Sequence, residues 1–366
     1  MILCSRCNSP YPDQGSPYYC PVCGGVFDAL SIVYQPEHIN GELTPGIWRY
    51  RSTFGLPENT PIVSLGEGNT PLVWADVFGR QVAFKCEHQN PTGSFKDRGT
   101  STLVSFLYSR GVIEAVEDSS GNAGASFAAY ASRAGIKARV FIPESASGPK
   151  RKQIEAYGAD VVAVPGSREN SAEMVKQKAE LGMVYASHAY LPFNLPGYAT
   201  IAYEIVEQVG ESPGTFICPA GQGGLLLGAA RGFKALQAAG IIRQPPKLIG
   251  VQALACAPLY GLYHSGSPGL ESTSDGFTLA EGIRVRFPVR AQAVVMAVTA
   301  SHGRFIAVDE ADILAGRDEL AHRGFYVETT SAVVWGALIQ MMTANGLNKM
   351  PEPVVVVLTG SGLKTA

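Results

Sequence analysis

Lys96 stands where an amine could do covalent chemistry. In HQNPTGSFKDRG (88–99) it follows a turn built from Asn, Pro, Thr and Gly. If Ser94 is the N-cap of the next helix, Asp97 stands at N3 and the two form a capping box. Lys96 then lies in the first turn, where the helix dipole disfavours its charge and moves its pKa toward the range in which a free amine forms a Schiff base. The alternative is an exposed lysine paired with Glu87 or Asp97.

Glycine-bearing segments elsewhere in the chain could bind anions. SSGNAG (119–124) stands where a helix is expected to begin, so its hydroxyls and amides could hold a carboxylate, unless they form an ordinary N-cap. PAGQGG (219–224) leaves N–H groups uncovered before another helix, which suits a phosphate, although a tight strand-to-helix turn has the same composition. It matches neither the Walker A pattern nor G-x-G-x-x-G. In LTGSGLK (358–364), Thr359 and Ser361 could offer hydroxyls at the end of a buried strand.

Four of the seven cysteines form two knuckles. Cys4-x2-Cys7 and Cys20-x2-Cys23 can offer four thiolates tetrahedrally to Zn²⁺. The insert between the knuckles is rich in turn-formers and too short for a core, which predicts a metal-stapled ribbon with a structural role. The alternative is a set of reduced thiols without metal. The other three cysteines are predicted to be small buried side chains: Cys86, Cys218 and Cys256.

A regular alternation of strand-like and helix-like segments must position these residues. The predicted strands are 82–87, 113–118, 138–142, 160–164, 215–219, 247–252, 305–308 and 354–359. The predicted helices are 95–109, 123–134, 150–157, 172–181, 199–209, 224–239, 310–323 and 331–343. Several strands are apolar throughout, which indicates an α/β fold with mostly parallel twisted sheets. Ligands bind outside the carboxyl ends of parallel strands, so the glycine loops are expected to meet at one crevice. Residues 31–65 are expected to be an extended connector.

Composition narrows the class of protein. The chain has 366 residues, 46% of them apolar, and a formal net charge of -2, which suits a globular protein with a large core in more than one domain. The small net charge disfavours a nucleic-acid binder, although a cysteine ribbon keeps that alternative open. No apolar run approaches the length of a membrane span, and an early charge with two early cysteines argues against a signal peptide. We therefore expect a cytoplasmic protein without a membrane partner.

The ordered motifs resemble a known family. NPTGSFKDRG, SSGNAG, PAGQGG and LTGSGLK, together with LGEGNTPL (65–72), resemble the fold-type II pyridoxal-phosphate enzymes, and among them the threonine synthase family most closely. Many members carry a comparable N-terminal cysteine ribbon. The resemblance implies a two-domain architecture and a homodimer. It places a zinc ribbon at 1–30, a large pyridoxal-phosphate-binding domain at 31–94 and 196–366, and a small α/β domain at 95–195.

The same resemblance assigns roles to residues by position. It implies that Lys96 forms the Schiff base with pyridoxal 5'-phosphate, that Asn122 bonds the phenolic oxygen of this cofactor, and that Thr359 faces the pyridine nitrogen. The residues implied for the cofactor phosphate are Gly221, Gln222, Gly223, Gly224 and Leu225. The residues implied for the substrate are Ser94, Ser119, Ser120, Gly121 and Asn194, and those for the metal are the four knuckle cysteines.

The implied reaction converts O-phospho-L-homoserine and water to L-threonine and phosphate. The sequence departs from the family pattern NSxNPxRxxGQKT, which holds the substrate phosphate, and reads SHAYLPFNLPGYAT (187–200) with Asn194 in place of the arginine. A neutral amide cannot form a charge-assisted pair with phosphate. The basic run 150–152 could compensate, or it is a solvated surface. A threonine/serine ammonia-lyase and a cysteate-synthase-like β-replacement enzyme therefore stay open as alternatives.

Overall fold

The computed structural model describes residues 1–38, 46–146, 148–265, 276–345 and 350–365. The chain forms two compact units, which are described separately. The first unit comprises Met1–Gly68, Asn90–Tyr198 and Thr365–Ala366, and the second comprises Asn69–Gln89 and Ala199–Lys364. The three-part division into a ribbon, a large domain and a small domain stays a prediction.

Twelve strands and ten α-helices lie in the described residues. The strands are β1 (Ile2–Cys4), β2 (Phe27–Ala29), β3 (Leu72–Val77), β4 (Arg80–Lys85), β5 (Glu114–Glu117), β6 (Lys137–Pro143), β7 (Asp160–Val164), β8 (Val184–Tyr185), β9 (Thr215–Pro219), β10 (Lys247–Ala253), β11 (Arg304–Val308) and β12 (Val354–Val357). The helices are α1 (Lys96–Ser109), α2 (Asn122–Ala134), α3 (Pro149–Ala156), α4 (Arg168–Glu180), α5 (Asn194–Val209), α6 (Gly224–Ala238), α7 (Pro258–Ser265), α8 (Ala291–Ala300), α9 (Glu310–His322) and α10 (Thr329–Asn345). The predicted α/β class is confirmed.

The first unit is built on a four-stranded parallel sheet in the order β7–β6–β5–β8. Ala115 in β5 pairs with Ala138 of β6 on one side and with Val184 of β8 on the other. Apolar side chains of α1, α2 and this sheet share one buried core. The strand order reverses between β5 and β8, because β6 and β7 lie on one side of β5 and β8 lies on the other. Ligands of open parallel sheets bind at such a reversal, outside the carboxyl ends of the strands.

The second unit contains a six-stranded sheet in the order β11–β10–β9–β12–β4–β3. Its pairs are parallel except for β3 with β4. All four residues of β12 (VVVV) are buried, as expected for a central parallel strand covered on both faces. Here the order reverses between β9 and β12. The glycine loop after β9 and the LTGSG loop after β12 therefore flank the reversal in this sheet.

All eight predicted strands and all eight predicted helices are present, most of them with shifted ends. The largest shift is in α5, which begins at Asn194 rather than at residue 199. β1 and β2 pair with each other, and the predicted strands fall into the other two sheets. Loop 117–126 therefore belongs to one of these sheets, and loops 218–228 and 354–364 belong to the other. The prediction that all three meet at one crevice stays a prediction. Elements β1, β2, β3, β8, α7 and α8 were not predicted.

The expectation of an extended connector over 31–65 is wrong for its middle part. Gly46–Thr53 forms a 3-10 helix in which Trp48 is buried. Trp48 Nε1 donates to Glu67 Oε1 and to Ser101 Oγ, both at 2.9 Å. Burial of large apolar side chains outweighs the local Pro and Gly content here. Residues 39–45 lie outside the described part of the chain. Among the described residues, no helix combines the length and the apolar character that crossing a membrane requires.

Candidate active site

A buried carboxylate organises the turn that precedes α1. Asp97 Oδ2 accepts a hydrogen bond from Thr92 N–H at 2.7 Å. Its Oδ1 accepts from Thr92 Oγ1 and from Ser126 Oγ, both at 2.6 Å. The capping box predicted for Ser94 and Asp97 is therefore wrong, and the N-cap is Phe95, without a side-chain cap bond. The reason is that a fully buried carboxylate is better satisfied by three donors than by a single backbone N–H.

Lys96 and Ser94 lie at the start of α1. Lys96 is the first helical residue and is half-buried, with Nζ 4.9 Å from the centroid of the Phe95 ring. Ser94 is fully buried, and its Oγ has no hydrogen-bond partner among the described residues. A buried hydroxyl left unpaired costs about 1–3 kcal/mol. Ser94 is therefore suited to contact a small ligand near Lys96.

The loop after β5 presents the start of α2 without a side-chain cap. Ser119 Oγ accepts from Gly121 N–H at 3.2 Å, and Gly121 is the N-cap. The first helical bond runs from Ala125 N–H to Gly121 O, so the helix offers no acceptor to the N–H groups of its first turn. A Cβ on Gly124 would overlap Ser119 O, so only glycine lets the helix pack on its own loop. The ordinary N-cap alternative is excluded for the serine side chains of this loop, and Asn122 becomes the first helical residue.

The segment after β8 brings a histidine to the end of β5. His188 Nδ1 is hydrogen-bonded to Glu117 Oε1, and its carbonyl accepts from Asn194 Nδ2. Asn194 is buried, and its Oδ1 has no hydrogen-bond partner in the described part of the chain. A Cβ added to Gly99, one turn after Lys96, would lie 2.8 Å from Asn194 Cβ. Asn194, which we predict to stand at the family's arginine position, thus lies beside the first turn of α1 and presents an acceptor.

Burial dominates the electrostatics of this region. Burial, then the neighbouring Asp118, raise the pKa of Glu117 well above its usual range, against the opposing charges of Lys96 and Arg168. Burial, then Lys96 and Arg168, hold the pKa of His188 well below its usual range. Since the carboxyl and the imidazole are in direct contact, the pair favours a state that holds one proton between the two groups.

In the second unit, the loop after β9 leads into α6 through a left-handed glycine. Gly223 is the N-cap, with φ +76°, and a Cβ there would lie 2.6 Å from Val294 Cγ2. Gln222 Oε1 accepts from Val289 N–H at 3.0 Å. The first helical bond runs from Leu227 N–H to Gly223 O, so the N–H groups of Gly224, Leu225 and Leu226 have no acceptor within α6. The loop is thus a tight turn, and the N–H groups that follow it fit a phosphate.

The loop after β12 holds a hydroxyl pair. Thr359 is buried, and its Oγ1 is 2.9 Å from Ser331 Oγ. Ser331 Oγ also accepts from Gly360 N–H at 2.8 Å. Ser331 therefore fixes the position of the Thr359 side chain. At this position the loop presents an uncharged hydroxyl rather than a carboxylate.

The four knuckle cysteines lie together near the N-terminus of the first unit. Their sulfurs are within 4.8 Å of one another. The Cys4–Cys23, Cys7–Cys20 and Cys7–Cys23 sulfur pairs are 3.5, 3.7 and 3.3 Å apart. A tetrahedral zinc with bonds of about 2.3 Å to each sulfur would place them about 3.8 Å apart. The donor set therefore fits zinc.

The cysteine ribbon packs on the segment that carries His188. The Tyr11 ring lies 4.9 Å from that of Phe193, and the Tyr19 ring lies 5.0 Å from that of Tyr190. Phe193 also stacks on Phe106 of α1 at 3.5 Å. The ribbon, α1 and residues 187–194 thus share one set of aromatic contacts within the first unit.

The structure groups the predicted residues by unit. Those in the first unit are Lys96, Ser94, Ser119, Ser120, Gly121, Asn122, Asn194 and the four cysteines. Those in the second are Gly221, Gln222, Gly223, Gly224, Leu225 and Thr359. Sequence reasoning missed Glu117, His188 and Ser331. For Glu117, its position at the end of a predicted strand was a signal that it could lie near a ligand. Its pairing with His188 gave no signal in the sequence, because that pairing depends on the register of β5 and β8.

The chain is similar to known proteins over the region that carries these motifs. The family described as pyridoxal-phosphate dependent enzyme matches residues 63–360. The chain is 34% identical to the threonine synthase of Methanocaldococcus jannaschii over 99% of its own length and 92% of the relative's. It is 34% identical to the threonine synthase of Synechocystis sp. over 86% of its own length and 82% of the relative's.

Solved structures extend the comparison. A threonine deaminase from T.th. is 26% identical, with a TM-score of 0.68 over 80% of this chain and 92% of the other. Maize serine racemase is 24% identical, with a TM-score of 0.70 over 80% of this chain and 88% of the other, a likeness of fold alone.

Proposed function

The chain belongs to the pyridoxal-phosphate dependent enzymes, and from that premise we propose that it is a lyase of the threonine synthase kind. Its reaction would convert O-phospho-L-homoserine and water to L-threonine and phosphate. The observation that carries this proposal is the 34% identity to a threonine synthase over 99% of the chain. The side chains expected from the family resemblance support it: an amine, an amide, a buried hydroxyl and two helix starts without a side-chain cap.

Each group suits one part of the cofactor. We propose that the Lys96 amine holds the aldehyde carbon and that Asn122, at the start of α2, donates to the phenolic oxygen. The unsatisfied first turn of α6, with Gly221 and Gln222 before it, would hold the phosphate. When bound, pyridoxal 5'-phosphate supplies an electron sink that makes the α-proton of an amino acid removable.

The hydroxyl pair of the second unit selects the type of reaction. Thr359, fixed by Ser331, would face the pyridine nitrogen. A hydroxyl does not stabilise a protonated ring as a carboxylate does, so the sink is weaker. A weaker sink favours elimination and replacement at the side chain over transamination. This preference agrees with a lyase.

The first unit would bind and deprotonate the substrate. Ser119, Ser120 and Gly121 would hold the substrate carboxylate at the start of α2, where the helix end favours an anion. The unpaired Ser94 Oγ would contact the substrate beside Lys96. The Lys96 amine, once exchanged for the substrate amine, would take the α-proton as a general base.

A second function is favoured by one observation. Asn194 presents an unpaired amide oxygen beside the first turn of α1, where the threonine synthase pattern has an arginine. An acceptor suits a hydroxyl or ammonium donor, whereas a phosphate needs donors. A threonine/serine ammonia-lyase, which expels a β-hydroxyl and yields a 2-oxo acid and ammonia, is therefore the second candidate. A cysteate-synthase-like β-replacement shares the same scaffold.

A substrate panel tests the proposal. The protein loaded with cofactor is incubated with O-phosphohomoserine, threonine, serine and phosphoserine, and phosphate, threonine and 2-oxo acids are measured. We expect phosphate and threonine from O-phosphohomoserine in equal amounts. Turnover of threonine to 2-oxobutyrate without any turnover of O-phosphohomoserine would replace the leading function by the second.

Three finer features belong to the proposal. Zinc in the cysteine ribbon is supported by the sulfur geometry and is tested by metal analysis of the native protein and of Cys4→Ser. A cytoplasmic location is supported by seven free cysteines, which suit a reducing compartment. A homodimer is implied by the family resemblance, and light scattering of the loaded protein tests it.

A further inference from the structure

A glutamate and a histidine that the sequence analysis did not single out lie where the four-stranded sheet reverses its order. Glu117 ends β5, and His188 lies three residues beyond β8, the strand that pairs with β5. Their side chains are joined through Oε1 and Nδ1. Since ligands of parallel sheets bind outside the carboxyl ends of the strands at such a reversal, the pair stands where a substrate is expected.

The imidazole is fixed on one side and available on the other. Nδ1 is held by Glu117, and the His188 carbonyl is held by Asn194. His188 Nε2 makes no hydrogen bond among the described residues, and the side chain is 12% exposed while that of Glu117 is 0% exposed. When Nδ1 carries the proton toward the carboxylate, Nε2 is an acceptor. The pair is thus built to accept a proton at Nε2.

We propose that His188 is the proton-transfer group for the oxygen at the β-carbon of the substrate, and that Glu117 positions it. The inference rests on the proposed function, in which water adds at the β-carbon after phosphate has left. As the new C–O bond forms, one O–H bond of water breaks and its proton passes to His188 Nε2. The double-bond electron pair of the substrate shifts toward the α-carbon, which takes a proton from Lys96. His188 returns its proton to solvent when the product leaves.

The surroundings suit this role better than that of a phosphate ligand. Lys96 of α1, Arg168 of α4 and Asp118 of the same loop are the charged groups that act on the pair. The charge of Lys96 acts on both Glu117 and His188, so the proposed general base for the α-proton lies within electrostatic range of the imidazole. Since the β-carbon is one bond from the α-carbon, it is expected near the imidazole as well. Burial keeps the pKa of His188 low, so the ring is neutral near pH 7 and able to accept a proton, whereas a phosphate would require a cation.

The ratio of threonine to 2-oxobutyrate among the products tests the inference. O-phosphohomoserine is given to the native protein and to His188→Gln, and phosphate, threonine and 2-oxobutyrate are measured together. We expect phosphate release to persist in His188→Gln while threonine formation falls about 100-fold, within the range for loss of a general base. The unsaturated amino acid left after phosphate release would then be hydrolysed to 2-oxobutyrate and ammonia. Threonine at the native share of product in His188→Gln would overturn the inference.

Two controls separate misfolding from chemistry. His322→Gln makes the same change at an exposed histidine that ends α9 in the second unit, and it should keep the native ratio of products. Glu117→Gln should lower the threonine share about tenfold and shift its pH profile while cofactor content, measured by mass spectrometry, is unchanged. An unchanged pH profile and partition in Glu117→Gln would contradict its positioning role.

A readout independent of turnover uses the native protein labelled with ¹³C-histidine. The imidazole signal of His188, identified by its loss in His188→Gln, should show at pH 7 the neutral tautomer that carries its proton on Nδ1 and leaves Nε2 as an acceptor. The tautomer protonated at Nε2 would overturn the inference. If the native protein releases no phosphate from O-phosphohomoserine, the proposed function fails by itself. His188→Gln should then lose 2-oxobutyrate formation from threonine but keep α-proton exchange with D₂O, and retained 2-oxobutyrate formation would overturn the inference.

Discussion

Replacing Asp97 should destabilise the first unit and loosen the site that presents Lys96. The carboxylate is fully buried and accepts three hydrogen bonds of 2.6 to 2.7 Å. A hydrogen bond to a charged group contributes about 1.5–3 kcal/mol, and such contributions are not additive. We take about 3 kcal/mol for Asp97→Ala, since the two hydroxyls can turn to other acceptors while the Thr92 N–H cannot. For a unit of this size, that corresponds to a loss of about 6–12 °C in the unfolding temperature.

Calorimetry of the cofactor-loaded protein measures this change in the unfolding temperature. Asp97→Asn should cost less, about 1.5 kcal/mol, because it keeps one oxygen acceptor. Asp160→Ala is the matched control in the same unit, because this aspartate is 56% exposed and lies 3.8 Å from Lys137. It should change the stability by less than about 1 kcal/mol. An unfolding temperature of Asp97→Ala equal to that of Asp160→Ala would refute the assignment of Asp97 as the organiser of this turn.

Three further perturbations have expected outcomes. Cys7→Ser should remove the zinc that we propose for the cysteine ribbon, measured by elemental analysis, and lower the unfolding temperature, because a structural zinc site contributes folding free energy. Gly124→Ala should displace the Ser119 carbonyl and weaken substrate binding, measured as a raised KM, because its Cβ would overlap that oxygen. Lys85→Met should lower the free energy of unfolding by about 3–5 kcal/mol, measured by calorimetry. Lys85 Nζ lies 2.8 Å from Glu204 Oε2, and its loss leaves this fully buried carboxylate without its ion-pair partner.

Each of these variants has a control variant that separates the proposed cause from a general effect of substitution. Cys256→Ser changes a buried cysteine of the second unit and should leave the metal content unchanged. Ser132→Ala lies on an exposed position of α2 and should leave KM unchanged. The double variant Lys85→Met with Glu204→Leu should recover most of the stability lost by Lys85→Met, and no recovery would contradict the ion-pair explanation.

Local patterns were enough to predict the elements that carry the site. A strand, a turn of small residues and a helix recur at residues 113–134, 215–239 and 82–109, and each is present with ends shifted by a few residues. These patterns succeed because a buried parallel strand and the helix after it have separate hydrophobic periods. The capping box failed because the carboxylate of Asp97 found donors on Thr92 and on Ser126 of another helix, which the local pattern does not contain.

The pairs formed between distant segments could not be predicted. Glu117 and His188 are 71 residues apart, and Thr359 and Ser331 are 28 residues apart. Their contact depends on which strands are neighbours, and the reversal between β5 and β8 is a property of the sheet rather than of either strand. β3 was missed because its antiparallel pairing with β4 is also set by the sheet and its flanks are rich in Pro and Gly.

The most direct test of the central claim is the covalent attachment of the cofactor. The purified protein is reduced with borohydride, digested with trypsin and analysed by mass spectrometry. We expect pyridoxal phosphate on the peptide CEHQNPTGSFKDR (86–98), since modification of Lys96 blocks cleavage at that residue. Lys96→Ala should carry no attached cofactor. Pyridoxal phosphate on a different lysine, or a protein that binds none, would contradict the account.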